Sequence, residues 1–173
     1  MNNKKRMMFL VDDDYYFITI KVLVILDTLG CCKHKLVDFR KLAFIIEFIK
    51  DDSSIKLYKD AVSYHENNKS YVNEKLFGIY YSANMQQSLL KRVILFLEKK
   101  QLVHLEKNDK YACIDVSIIY NKELKEVLES NMFNQDKENI KEIQGKIKRI
   151  KSIKYDTFIE KVFGDREVSK WDV

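Results

Sequence analysis

The stretch NMQQSLLKRVILFLEKKQLVHLEKNDKYACIDVS, Asn84 to Ser117, changes its hydrophobic period halfway along, and that change decides the fold. From Met85 to Lys100 the apolar residues Leu89, Leu90, Val93, Ile94 and Leu97 recur at helical spacing, while Lys91, Arg92, Glu98 and Lys99 take the other side. A stripe of that width predicts a helix with one face in a core. The next residues alternate instead. Val103 and Leu105, then Ala112, Ile114 and Val116, are separated by His104, Glu106, Cys113 and Asp115, as in two strands each with one buried face. Lys107-Asn108-Asp109-Lys110 joins them, because Asn and Asp tolerate positive φ and bond their own backbone. A buried helix running directly into a tight hairpin is the centre of a winged-helix module.

The whole chain of 173 residues is long enough for one such domain and a helical extension. With 46% hydrophobic and 33% charged residues it predicts a folded, mainly α protein with a small β-hairpin, and excludes a disordered one. Proline is absent and glycine occurs 4 times, so long helices with short polar links are expected rather than a β-sandwich. Net charge is +5, and between Asn84 and Lys110 the bases Lys91, Arg92, Lys99, Lys100, Lys107 and Lys110 face only Glu98, Glu106 and Asp109. That balance suits either a solvated helix and turn or contact with phosphates, and these six bases are the candidate nucleic-acid contacts.

Cys31, Cys32 and Cys113 are odd in number, which fits a reduced, cytoplasmic protein. Cys31-Cys32 with His34 lacks the second ligand pair that a closed tetrahedral site needs, so neither metal nor cofactor is expected. The apolar run Met7 to Val11 is too short for a secretory signal. Phe17 to Leu29 contains Lys21 and Asp27 and falls short of the roughly 20 residues of a membrane span, so a soluble protein is expected.

In chain order, residues 1–14 read as an amino-terminal arm whose Met7 to Val11 segment needs cover, as an edge strand or against a partner. Asp14 is expected to cap a helix from about Tyr15 to Leu29 that is apolar nearly all round, hence central, and Gly30 to end it. A second helix is expected from about Leu36 to Lys50, with Leu36, Phe39, Leu42, Ala43 and Ile46 inside and Arg40, Lys41, Glu47 and Lys50 outside. Asp51-Asp52-Ser53-Ser54 offers caps for a helix over Ile55 to Tyr64. His65 to Ser70 reads as a loop, and Tyr71 to Ala83 as an aromatic helix before Asn84. The winged-helix domain then covers residues 15–119, and residues 120–173 form a carboxy-terminal helical extension. In that extension Ile140, Ile143, Ile147, Ile150 and Ile153 form a narrow seam, which either docks on its own domain or takes a partner's coiled coil. Trp171, the only tryptophan, is a candidate interface anchor.

Chemistry is not signalled. His34, His65 and His104 have no nucleophile-elbow sequence nearby, there is no Gly-rich phosphate loop, and Asp12-Asp13-Asp14 has no second acidic cluster to complete a cation site. No enzyme is expected.

A family resemblance gathers these elements. The acidic arm, then Ile18-Thr19-Ile20-Lys21-Val22-Leu23-Val24-Ile25-Leu26-Asp27, then Asp38-Phe39-Arg40-Lys41-Leu42-Ala43-Phe44-Ile45-Ile46-Glu47-Phe48-Ile49-Lys50, and finally Leu90-Lys91-Arg92-Val93-Ile94-Leu95-Phe96-Leu97 with its hairpin, resembles the middle component of bacterial ABC-three-component systems, Lamassu-type antiphage defence among them. The resemblance covers roughly Phe9 to Val116 and rests on hydrophobic pattern and element order. It implies a small, non-catalytic winged-helix adaptor that sits with an SMC-like ABC ATPase and an effector such as a nuclease, with DNA met through the complex and no membrane. The rival is a winged-helix DNA-binding transcriptional regulator. That reading needs exposed base-reading residues, yet Leu95 and Phe96 adjoin Lys91, Arg92 and Lys99, on a side that reads as covered by protein.

Overall fold

A computed structural model describes residues 3–63 and 69–164, with side chains described for 15–63 and 74–164. In chain order the elements are α1 (Asn3–Thr28), α2 (Lys41–Phe48), α3 (Asp52–Ser63), α4 (Lys69–Lys99), β1 (Val103–Asn108), β2 (Cys113–Ile118), α5 (Lys122–Leu128), a 3-10 turn (Asn131–Phe133), α6 (Asn134–Lys146) and α7 (Tyr155–Phe163). Mainly helical with one antiparallel hairpin, this is the coarse class that composition and periodicity predict.

The first helix starts earlier than its pattern suggests. Its backbone is helical from Asn3, so residues 3–14 of the expected arm are part of α1, and Asp14 lies inside the helix rather than capping it. No glycine or proline interrupts residues 3–28, and the hydrogen-bond ladder continues through the acidic triplet. At the other end Gly30 takes φ +67, and Gly30 N and Cys31 N donate to Asp27 O and Leu26 O, both at 2.8 Å. That is a Schellman closure, and only the lack of a Cβ makes its conformation inexpensive. Val22 to Leu26 are buried on every side, as an all-apolar central helix requires.

After α1 the chain runs beside β2 instead of starting a helix at Leu36. Ile118 N donates to Cys31 O, Leu36 and Val116 exchange two backbone hydrogen bonds, and Phe39 N donates to Ile114 O. β2 is therefore flanked by β1, in the register Val103↔Ile118 to Asn108↔Cys113, and by residues 31–39. Only at Lys41, after Asp38 at φ +61, does α2 begin. The strands reach Asn108 and restart at Cys113, so Asp109-Lys110-Tyr111-Ala112 makes the turn, two residues later than expected. The alternation also inverts in β2: Cys113 and Asp115 are buried and Ala112 is exposed, because a strand in this central position is covered on both faces.

Asp51 caps α3 as predicted, accepting from Ser54 N at 2.8 Å. No break occurs at Asn84: α4 is one helix of 31 residues, and Leu76, Ile79, Tyr80, Ala83, Leu90, Val93, Ile94 and Leu97 recur on its buried face, which packs on α2 and α1. Gln101, at φ +58, ends it and turns the chain into β1. Asn121 caps α5 through Leu124 N at 2.7 Å.

The carboxy-terminal elements close the same core. Phe44 meets Tyr80, Tyr155, Phe158 and Phe163 at ring-centroid distances of 5.6 to 6.1 Å, so α2, α4 and α7 converge on one aromatic centre. One apolar cluster runs from Ile18 to Phe163. Within it the isoleucine seam is consumed. Ile140, Ile143, Ile147 and Ile150 are buried and Ile153 packs against the cluster, while α6 ends at Lys146 and the last three lie in turns. Tyr58 Oη donates to Ile143 O, and Lys21 pairs with Asp136 at 2.6 Å, fixing α6 on α3 and α1. The seam is therefore not open to a partner's coiled coil. Burying each isoleucine contributes about 2 kcal/mol, and the narrow stripe is satisfied from within.

Candidate nucleic-acid and partner interface

The placement of the hairpin depends on three buried polar residues whose sequence context marks none of them as inward. Asp115, on β2, accepts from Asp38 N at 3.1 Å and from Asn108 Nδ2 at 2.8 Å, and faces Lys35 Nζ at 3.5 Å. Asp38 in turn holds Arg40 through three side-chain hydrogen bonds, the shortest 2.6 Å, and Arg40 lies over the Tyr155 ring at 4.2 Å. The Asp38 contact raises the Arg40 pKa further. Lys41, expected outside, is fully buried. Its ammonium donates to Ile150 O at 2.7 Å, Lys151 O at 3.3 Å and Ile153 O at 2.8 Å. Burial lowers its pKa to about 8, against the opposing pull of Asp38 and Asp115. Glu47, also expected outside, is buried and accepts from Gln86 Nε2.

The six bases read as nucleic-acid contacts are all exposed. Lys91, Arg92 and Lys99 lie on the outer side of the last turns of α4, Lys100 directly after it, and Lys107 and Lys110 beside and on the hairpin turn. Glu98 accepts from Leu105 N at 3.2 Å, which ties β1 to the end of α4 and sets the two groups of bases relative to each other. Local contacts engage three of the six. Lys107 pairs with Asp109 at 2.7 Å, while Lys100 and Lys110 sit 5.6 and 5.2 Å over the rings of Phe96 and Tyr111. A cleft of about 320 Å³ opens between the turn, Arg40 and Lys154.

The apolar residues beside these bases are not covered by the described residues. Leu95 is 48% exposed and Phe96 39%, although the Phe96 and Tyr15 rings meet edge to face with centroids 5.8 Å apart. On α1, Tyr16, Phe17 and Ile20 are also exposed, and Phe17 borders a depression of about 280 Å³ with Gln86 and Leu89 of α4. The sequence places Phe17 and Ile20 in a central helix that is apolar nearly all round. Apolar spacing alone does not tell this turn from the buried ones beside it.

Burial pushes the Cys31 thiol up to about 12 and the Cys113 thiol to about 11, so neither is a thiolate near neutral pH. His34 and His104 are exposed, while His65 and Trp171 fall outside the described residues. Among the described residues no group of three potential metal ligands converges, and no helix is long and apolar enough to cross a membrane. Compared with known protein families, with curated proteins and with solved structures, the chain matches none.

Proposed function

We propose that this chain is a non-catalytic winged-helix adaptor that binds an SMC-like ABC ATPase and an effector nuclease in a bacterial antiphage defence complex. The observation that carries this reading is the apolar surface left open on α1 and on the helix before the hairpin, Tyr16, Phe17, Ile20, Leu95 and Phe96. Large apolar groups gathered beside bases favour a protein partner, since a helix that reads base edges presents polar side chains instead. Element order supports it: α1, the Leu36 bridge, α2, α4 and the hairpin follow one another as in a winged helix with α3 inserted. Docking goes through the α1 and α4 face, because the isoleucine seam is used internally. DNA is met through Lys91, Arg92, Lys99, Lys100, Lys107 and Lys110.

A second reading, a winged-helix DNA-binding regulator, is favoured by the exposure of all six bases with no described element lying over them. The test is a tagged copy expressed with its neighbouring genes. Recovery of a large ABC-type ATPase, lost when Phe17→Asp and Phe96→Asp are combined, supports the adaptor. Recovery of a lone homodimer that shifts a specific DNA fragment supports the regulator and removes the adaptor reading.

A further inference from the structure

Two turns far apart in sequence meet beyond the covered edge of β2. One, residues 30–35, follows α1; the other, residues 147–154, follows α6. Their backbones are pinned together by Val37 N donating to Lys151 O at 2.8 Å and by the Lys41 ammonium holding the carbonyls of Ile150, Lys151 and Ile153. The Lys151 ammonium reaches back over the first turn, so a methyl group added at Gly30 would lie 3.9 Å from it. Between the turns an open depression of about 420 Å³ is lined by Lys33, His34, Lys35, Ser117 and Ser152, with Cys32 at its edge.

The charge here is denser and less compensated than on α4 and the hairpin. Residues 28–37 and 143–155 contain no Asp or Glu, yet they carry Lys33, Lys35, Lys146, Lys148, Arg149, Lys151 and Lys154. Among the described residues only Lys35 has acidic partners, Glu106 at 2.7 Å and Asp115 at 3.5 Å. Lys33, Lys148 and Arg149 are exposed. Lys154 lies 4.8 Å over Tyr111 and continues the positive band toward the hairpin turn.

We infer that this depression binds the phosphate backbone of nucleic acid, as a second contact separate from the α4 and hairpin bases. Bases on a backbone held rigid by a buried ammonium are arranged before the ligand arrives, and the Ser117 hydroxyl adds a neutral donor beside them. No large exposed apolar side chain lies in either turn, so there is nothing to insert into a lipid surface. The contact reads charge and spacing, not base sequence, since the lysines and the arginine around the depression pair with phosphates rather than with base edges.

The test uses the full chain alone, so it does not depend on whether an ATPase co-purifies. Anisotropy of a labelled duplex of about 20 base pairs of arbitrary sequence is followed from about 50 to 200 mM salt. The unmodified chain binds, and its affinity falls steeply with salt. Lys33→Glu, Arg149→Glu and Lys151→Glu together lower affinity at least about tenfold and reduce the salt slope by about 3, one for each cation removed. The same three positions changed to Gln give the same loss of slope with a smaller loss of affinity, and these decide the matter if the Glu variant shows a lowered urea midpoint. Full affinity in the Gln variant overturns the proposal. So does loss confined to Lys91→Glu with Lys107→Glu, or binding of the unmodified chain to anionic phospholipid vesicles but not to the duplex.

Discussion

Replacing Lys41 with methionine separates a buried charge from a merely crowded side chain. Met keeps most of the stem volume, so the packing against the core is retained while the three hydrogen bonds to Ile150 O, Lys151 O and Ile153 O are lost. Orphaning those carbonyls costs about 3 kcal/mol, and removing an ammonium that is costly to desolvate returns about 1, for a net loss of about 2 kcal/mol at pH 7. The pH dependence is the sharper part. In the folded chain Lys41 titrates near 8, against an ordinary value of 10.5. Between pH 8 and 9 the native ammonium gives up most of its proton while the unfolded one keeps it, so the unfolded state binds more protons and stability rises. That rise amounts to about 1 kcal/mol over the interval. Above pH 9 the buried thiols of Cys31 and Cys113 act with the opposite sign, because the native state holds protons that the unfolded thiols release. The Lys41 charge itself lowers the Cys31 value, but up to pH 9 both native thiols stay protonated in either protein, so the comparison over that range removes them. Urea unfolding followed by circular dichroism at pH 7, 8 and 9 should show the gap between wild type and Lys41→Met widening from about 2 to about 3 kcal/mol. A gap that stays constant with pH would refute the depressed pKa. No gap at all would refute the role of the ammonium as the clamp on residues 150–153.

Two further substitutions test the packing. Ile143→Asp combined with Ile147→Asp places two carboxylates where 1% and 4% of the side chains are accessible, and should unfold the chain rather than only release a partner, seen as loss of a cooperative urea transition. Asp115→Ala leaves Asp38 N and the Asn108 amide without their acceptor, and should cost about 3 kcal/mol, with faster hydrogen exchange at the Asp38 amide reporting the local opening.

The legible parts of the fold are those written locally. The Asp51 cap, the Gly30 stop and the period change into the hairpin each depend on a few neighbouring residues, and each appears where its chemistry points. What was not legible depends on partners distant in sequence. Lys41 looks like an outward residue of an amphipathic helix, and only the carbonyls of residues 150–153 make its burial tolerable. Cys113 and Asp115 invert the strand pattern because both faces of β2 are covered, and no local period can announce that Asp38 and Lys35, from before α2, meet the Asp115 carboxylate. The isoleucine seam had the spacing of a coiled coil. Its first two members are helical and the others sit in turns, a distinction that spacing alone does not carry. Of the candidate site, the exposure of the six bases was legible from composition, whereas the open apolar face of α1 and α4 was not, since apolar spacing does not say which side finds cover.

The clamp at Lys41 also sets an order of events during synthesis. Its acceptors lie 109 to 112 residues further along, so on a ribosome adding roughly 5 to 20 residues each second they emerge about 5 to 20 s after the lysine itself. Throughout that interval the Lys41 ammonium lacks the carbonyls that hold it in the finished chain. The clamp and the aromatic centre are therefore completed by one late segment, which carries both the acceptors and, in α7, the rings that surround Phe44.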